Sequence, residues 1–337
     1  MKRFIIAILA VTALSGCNKD KMPGNDERVD LIRFGSVDTR AVVHNGSDIT
    51  EFAVFAEQNL GADDTPSAHQ WVSILRDERV YRTAGNDFSY DHKRYWINGR
   101  TFFFLGVYPY GSAVTREEET DALGQTTFKY ALDISVPYDA NTDYMTAQCS
   151  VPVAADQTLY PIVGMEFSHL LAKVAFNIKK SGDYNADDTF VVTQVGLSGI
   201  SRNAAFVAEH GPNRYVETLT PVSESRQIRR SNLNATINTG GVNVLGENNG
   251  LLMVPQSFTD QQVKLSVAYT YTPSGENAEI QYSTLEINIP ADQVNRWESG
   301  KSYTYNLTLV IDHNIYINTP TVADWGTTQP GGTIIIK

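Results

Sequence analysis

The stretch Arg100-Thr-Phe-Phe-Phe-Leu-Gly-Val-Tyr-Pro-Tyr-Gly111 decides the fold class. Phe102 to Leu105 form an unbroken apolar run, Val107 and Tyr108 extend it, and Pro109 and Gly111 close it. A short run rich in aromatic and branched residues, bounded by turn formers, reads as a strand that is buried on both faces. The same grammar recurs outward from it, in VDLIRFGSV (29–37), ITEFAVFAEQ (49–58), TFKYALDISVPY (127–138) and HLLAKVAFNIK (169–179). It continues in TFVVTQVGLSGI (189–200), VKLSVAYTYTP (263–273), TLEINIP (284–290) and SYTYNLTLVID (302–312). Asn45–Gly46, Asn98–Gly99, Asn249–Gly250 and Pro273–Ser274–Gly275 supply turn chemistry between the runs. Helical periodicity is scarce: Ser168–Lys173 reads either way, and Ala291–Arg296 after Pro290 reads as one helical turn.

Many short strands with long variable connections predict an all-β protein of antiparallel β-sandwiches. Two strand-rich halves meet at VPVAADQTLYPIVG (151–164), which carries Pro152 and Pro161. The expected division is therefore an N-terminal sandwich over 31–160 and a C-terminal one, with a terminal strand, over 161–337. No internal repeat relates the halves.

The first 30 residues read differently. Lys2 and Arg3 precede an apolar segment from Phe4 to Ala13, and Leu14–Ser15–Gly16 lead to Cys17. This is a signal peptide (1–16) with an apolar core too short to span a bilayer. Its small residues fit a protease pocket, and the Cys17 thiol is the atom that lipoprotein processing acylates. An ordinary secretory signal with a coincidental cysteine is the other reading. Two or more acyl chains hold a protein stably at a membrane, where one does so marginally. Residues 17–30, polar and charged with Pro23 and Gly24, form a tether.

The 337 residues carry a formal net charge of −11, and loss of Lys2 and Arg3 with the signal makes the mature chain more acidic still. Such a balance excludes nucleic acid as a partner, because phosphates repel it. Apolar content of 42%, with 17 Tyr and 14 Phe, suffices for sizeable cores. With Cys17 assigned to lipid, Cys149 is the remaining cysteine and no intramolecular disulfide forms; it reads as a buried, inert thiol, with a reactive or intermolecular cysteine as the alternative.

No catalytic constellation emerges, and the chain is read as a non-enzyme without cofactor or metal. The six histidines (44, 69, 92, 169, 210 and 313) fit no zinc spacing, and neither a nucleophile elbow nor a phosphate loop is present. His169, within an apolar run, reads as a packed or interface histidine. Asp183-x-Asn185-x-Asp187–Asp188 has oxygen donors at alternate positions that suit calcium, but Asp188 and Gln194 occupy the places of the required glycine and bidentate glutamate. A solvated turn is the preferred reading. Glu117–Glu118–Glu119 with Asp121 reads as a soluble charge run between strands, and Arg226, Arg229 and Arg230 as a solvated loop or a patch for an acidic neighbour. Among Trp71, Trp96, Trp297 and Trp325, Trp71 in its polar HQWVS context is the one suspected of exposure and of forming a sugar platform.

Several landmarks then occur in a telling order. After the lipobox come Phe34 and Thr39–Arg40–Ala41, Phe52–Phe55, Tyr95–Trp96, Phe102–Phe104 and Tyr108–Pro109, then Phe167–Leu170 and Lys173–Val174. Trp297, Gly300–Tyr305 and Asp324–Trp325 complete the series. The whole mature chain resembles the fimbrillin family of Bacteroidetes, the lipoprotein-derived subunits of type V pili, and Lys19–Asp20 resembles the charged signal that sends such lipoproteins to the surface. The resemblance implies two β-sandwich domains and delivery to the outer membrane surface as a lipid-anchored precursor. It further implies cleavage after an arginine by an arginine- or trypsin-like protease, which removes the first strand and opens a groove for a strand of the next subunit. Arg40 matches the cut by position, with Arg33, inside the strand to be expelled, second. Thr333–Ile334–Ile335–Ile336 at the chain end is a strongly β-prone run, either a donor for a neighbour or the last strand of its own domain. The expected partners are other fimbrillin subunits in a homo- or heteropolymer, the protease, the membrane through lipid, and a ligand on host or bacterial surfaces. The alternative is a monomeric surface lipoprotein that binds glycans through aromatic platforms.

Overall fold

A computed structural model describes residues 29–35, 49–59, 71–84, 87–122, 124–137, 142–211, 213–246, 249–275, 279–310 and 314–325, with the backbone of Ile334–Ile336. The described chain is all-β. Ser168–Lys173 resolves as strand on either side of a bend, and Ala291–Arg296 is a turn leading into a short strand rather than a helical turn, its residues too few to nucleate a helix.

The opening stretch forms the strand Arg100–Tyr108 at the centre of a seven-stranded sheet. Glu51–Asn59 and Met145–Val153 flank it in antiparallel register, and Trp71–Arg82, Phe88–Ser89, Met165–His169 and Ile334–Ile336 complete the sheet. Both faces are covered, which is why its two central strands, Glu51–Asn59 and Arg100–Tyr108, carry unbroken apolar runs. Ala53, Phe55, Phe103, Leu105 and Val107 pack toward Phe128, Tyr130, Leu132, Phe206 and Tyr215 of a four-stranded sheet. That sheet comprises Thr115–Thr120, Thr126–Ser135, Asn203–His210 and Tyr215–Pro221. Phe52, Val54, Phe102, Phe104, Ala147 and Val151 form a second core on the other face, closed by Ile32, Phe34 and Val163. Gly106 allows this face to close: a Cβ there would lie 2.6 Å from Met165 Cε and 3.1 Å from Phe167 Cζ.

Most of the remaining described strands build a sandwich of a five-stranded and a six-stranded sheet, and two further pairs stand apart as two-stranded sheets. Thr189–Ile200 pairs with Lys264–Thr272, which pairs in turn with Gln281–Asn288. Opposite them, Ala172–Lys180 and Lys301–Leu309 run parallel over eight paired residues, from Lys173↔Ser302 to Lys180↔Leu309. With Arg33–Phe34 beside Ile162–Val163, this is a parallel exception to the expected antiparallel pairing. Phe176, Phe190, Leu197, Val267, Tyr269 and Tyr305 fill the space between the sheets.

Sheet membership crosses residue 160. Met165–His169 and Ile334–Ile336 join the strands of the first half, and the Asn203–Pro221 hairpin reaches back to pair with Thr126–Ser135. The crossing is pinned at Ser201, whose N–H donates to Gln256 Oε1 at 2.7 Å while Gln256 Nε2 donates to Ser201 C=O at 3.0 Å.

Candidate assembly site

The segment 29–35 has little ladder of its own. Arg33 and Phe34 pair with Ile162 and Val163, and Leu31 forms an isolated bridge to Tyr95. Ile32 N–H donates to Arg94 C=O at 2.9 Å, Trp96 N–H to Asp30 C=O at 2.7 Å, and Gly35 N–H to Val163 C=O at 3.0 Å. What holds the segment is its side chains. Ile32 is fully buried and Phe34 is 3% exposed, whereas Arg33 between them faces solvent. Phe34 meets the rings of Tyr90, Phe104 and Phe52 edge-on at 5.5, 6.0 and 6.3 Å. Burial of two such side chains is worth about 1.5–3 kcal/mol each. Tyr90 donates its hydroxyl to Ile32 C=O at 2.9 Å, and burial pushes that phenol up to about 12. A cleft of about 510 Å³ adjoins the segment, lined by Arg33, Phe34 and Ile162 together with Thr83, Phe88 and Lys93.

The chain end arrives at the same place. Ile334–Ile336 lies antiparallel to Met165–His169, with Phe167 opposite Ile334 and Met165 opposite Ile336. Phe167 is fully buried and its ring contacts Phe52 at 5.0 Å, the ring that Phe34 also meets. Trp325, ahead of the connector to that strand, stacks on His169 at 3.8 Å and 10°, with Lys173 Nζ 5.4 Å from the indole. His169 Nδ1 lies 2.9 Å from Asp143 Oδ2, both side chains buried, so this histidine is a packed one. Cys17, Arg40 and Thr333 lie outside the described residues.

The fimbrillin-like family model matches residues 39–325. The chain belongs to the fimbrillin-like family. A prokaryotic membrane lipoprotein lipid-attachment site matches residues 1–18, and the protein is a lipid-anchored protein of the cell surface. A fimbrial protein from Bacteroides vulgatus shares the fold at a TM-score of 0.58 and 16% identity, over 88% of this chain and 99% of that one. Two proteins assigned to cell adhesion are also similar. One, from Bacteroides uniformis, has a TM-score of 0.46 and 19% identity over 90% of this chain and 99% of its own. The other, from Bacteroides ovatus, has 0.42 and 16% over 89% and 98%. No curated protein sequence matches.

Elsewhere the fimbrillin structure corrects several expectations. Trp71 is 7% exposed, packed on Phe103 and His210 at 4.5 Å each, and Trp96, Trp297 and Trp325 are buried too, so no tryptophan forms a surface platform. The polar neighbours of Trp71 misled because the strand Trp71–Arg82 begins with it facing the core. Glu117–Glu119 belong to a strand, Thr115–Thr120, at the edge of the four-stranded sheet, where charge guards an open edge against pairing. Arg226, Arg229 and Arg230 likewise lie in a strand, Arg226–Arg230, paired with Thr189–Ile200.

The loop suspected of binding calcium is closed by a side chain instead. Lys180 Nζ donates to the carbonyls of Asp188, Ala186 and Asn185 at 2.7, 3.0 and 3.1 Å, an ammonium in the position a bound cation would take. Asp188 accepts from Ser274 N–H at 2.8 Å and Asn185 N–H at 3.1 Å, and these bonds hold its carboxyl below the ordinary range. Among the described residues no cluster of three metal-ligating side chains occurs. The Cys149 thiol is half-buried, and burial pushes it up, away from the reactive thiolate.

Sequence reasoning missed a polar group inside the core. Glu57 is fully buried between the seven- and four-stranded sheets, accepts a hydrogen bond from Tyr130 Oη, and has no partner for Oε2. Burial pushes its carboxyl up to about 8 and the nearby His210 imidazole down to about 4. The clue lay in ITEFAVFAEQ, where Glu57 directly follows the apolar run Phe52–Ala56 in a strand covered on both faces.

Proposed function

We propose that the chain is a non-enzymatic structural and adhesive subunit of a surface fimbria, delivered as a lipoprotein acylated on Cys17 and assembled by strand exchange. A cut after Arg40 by an arginine- or trypsin-like protease frees the lipid and the segment 29–35 together. Arg33 is the poorer site: its backbone is paired with Ile162, and a cut there leaves Phe34 seated in the core. Loss of the segment uncovers apolar surface beside Phe52, Tyr90 and Phe104 and backbone groups of Arg94 and Val163 without partners. An extended segment from another fimbrillin subunit, of the same or another kind, restores both.

The observation that carries this reading is that Phe34 and Phe167 both lie against Phe52, while the terminal strand pairs with the backbone of Met165–Phe167. Ile32 and Phe34 fill the site at a two-residue period, and Thr333–Ile336 has isoleucines at that same period. In a single chain the terminal strand lies on Met165–Phe167; in a fibre the equivalent strand of a neighbour takes the vacated site. Deletion of residues 333–337 is expected to leave the cut at Arg40 intact and to abolish SDS-resistant polymers, while Arg40→Gln abolishes both. Polymers of normal length from the deletion variant would contradict the assignment of the donor.

A further inference from the structure

The five-stranded sheet ends in a cleft of about 620 Å³ that shares no lining residue with the segment 29–35. Ser198 pairs with Gln227 on one side and Lys264 on the other, and Ile200 pairs with Arg226 one step further on. Leu197, Ile228 and Leu265 are buried, so the alternate residues Ser198, Gln227 and Lys264 face outward on adjacent strands about 4.8 Å apart. Gly199 shapes the floor. It is an extra residue where the register shifts between Ser198 and Ile200, its φ is +76°, and a Cβ would lie 1.9 Å from Gln262 C=O. Such bulges re-aim side chains.

The cleft's polar groups are held in place. Gln262 Oε1 accepts from Thr259 N–H at 3.0 Å while its Nε2 donates to Gly199 C=O at 3.3 Å. Arg202 Nε donates to Val136 C=O at 2.8 Å, and Arg226 Nε to Glu224 Oε2 at 2.9 Å. Glu224 also accepts from Arg202 and Asn203 N–H, and of the residues lining the cleft three are cationic and none is anionic. The side chains of Lys264 and Gln227 have no hydrogen-bond or ion-pair partner among the described residues. No apolar side chain lines the cleft. In a chain of net charge −11 this is a local reversal of sign.

We propose that this cleft binds the anionic group of an acidic oligosaccharide, a carboxylate or sulfate flanked by sugar hydroxyls. The three cations attract the anion, and the fixed Gln262 amide with Gln227 and Ser198 supplies donors and acceptors for neighbouring hydroxyls. A protein partner would need an apolar contact core, which this lining does not offer. The assignment rests on the adhesive reading above and names its ligand class.

The test is calorimetric titration of the full detergent-purified chain with oligogalacturonides, which carry carboxylates, dextran sulfate oligosaccharides, which carry sulfates, and neutral dextran oligosaccharides. Binding of at least one anionic probe, weakened by salt, with none of the neutral one, is expected, and which anion binds identifies the group. The Arg226→Gln/Lys264→Gln double variant should lose at least tenfold in affinity while its melting temperature and its trypsin-triggered polymers stay unchanged. Equal binding of neutral dextran, no binding of either anionic probe, or unchanged affinity in the double variant would overturn the proposal. So would a variant that binds sugar normally yet fails to polymerise, which assigns the cleft to a neighbouring subunit. Polymers without sugar binding defeat this proposal alone, and sugar binding without polymers defeats the assembly reading alone.

Discussion

Glu57 shows how one side chain sets a pH dependence for the whole fold. Its carboxyl titrates near 8 in the folded chain, against an ordinary 4.5, because burial disfavours the charge. The folded state therefore keeps a proton that the unfolded state loses, and stability falls as pH rises from about 4.5 to about 8. His210 acts in the opposite sense: burial depresses its imidazole to about 4 from 6.5, so stability falls as pH drops through that interval. The two largely cancel between pH 4.5 and 6.5 and leave Glu57 alone above it. Between pH 6.5 and 8 the loss is on the order of 2 kcal/mol at 1.36 kcal/mol per pH unit. Urea denaturation across this range should show the decline in the native chain and a nearly flat profile in Glu57→Gln. A decline of the same size in the variant would assign it to other groups.

Among elements, the segment 29–35 is the one whose contacts suit it to leave. Two ladder pairs and a few backbone bonds hold it, and most of its grip lies in Ile32 and Phe34. Phe34→Ala should cost the uncut chain about 3–5 kcal/mol, as other buried phenylalanines do. Once cut, that variant should polymerise faster, because the severed segment leaves sooner. Unchanged polymerisation kinetics would show that departure of the segment does not limit exchange. Most strands were legible from apolar runs and turn residues, Arg100–Tyr108 and Lys301–Leu309 among them, because those signals are local. The pairing of Ala172–Lys180 with Lys301–Leu309 and the return of Asn203–Pro221 to Thr126–Ser135 were not, because both depend on contacts far apart in sequence. Glu117–Glu119 and Arg226–Arg230 carry no strand signal for a related reason: charge on an edge or outer face hides a strand.

For the whole molecule, a lipid-anchored, acidic, all-β protein of the fimbrillin-like family has a first segment that seats Phe34 on Phe52 and a last strand paired with Met165–Phe167, whose Phe167 also meets Phe52. The order of landmarks proposes Arg40 and the β-prone run at 333–336 proposes a donor, both still to be tested, while the contact of Phe52 with Phe34 and Phe167 could be found only in the fold. On the strand-exchange reading proposed above, one peptide cleavage is all the chemistry that conversion of a membrane-held monomer into a fibre requires. Arg226, Arg229 and Arg230, being strand-paired, compete poorly for a protease that needs an extended, accessible chain. Limited trypsin digestion of the purified mature protein, read by intact mass and by gel without boiling, therefore tests the central claim most directly. A stable product beginning at Ala41 that forms SDS-resistant ladders is the predicted result. A product beginning at Ala41 that stays monomeric would contradict it.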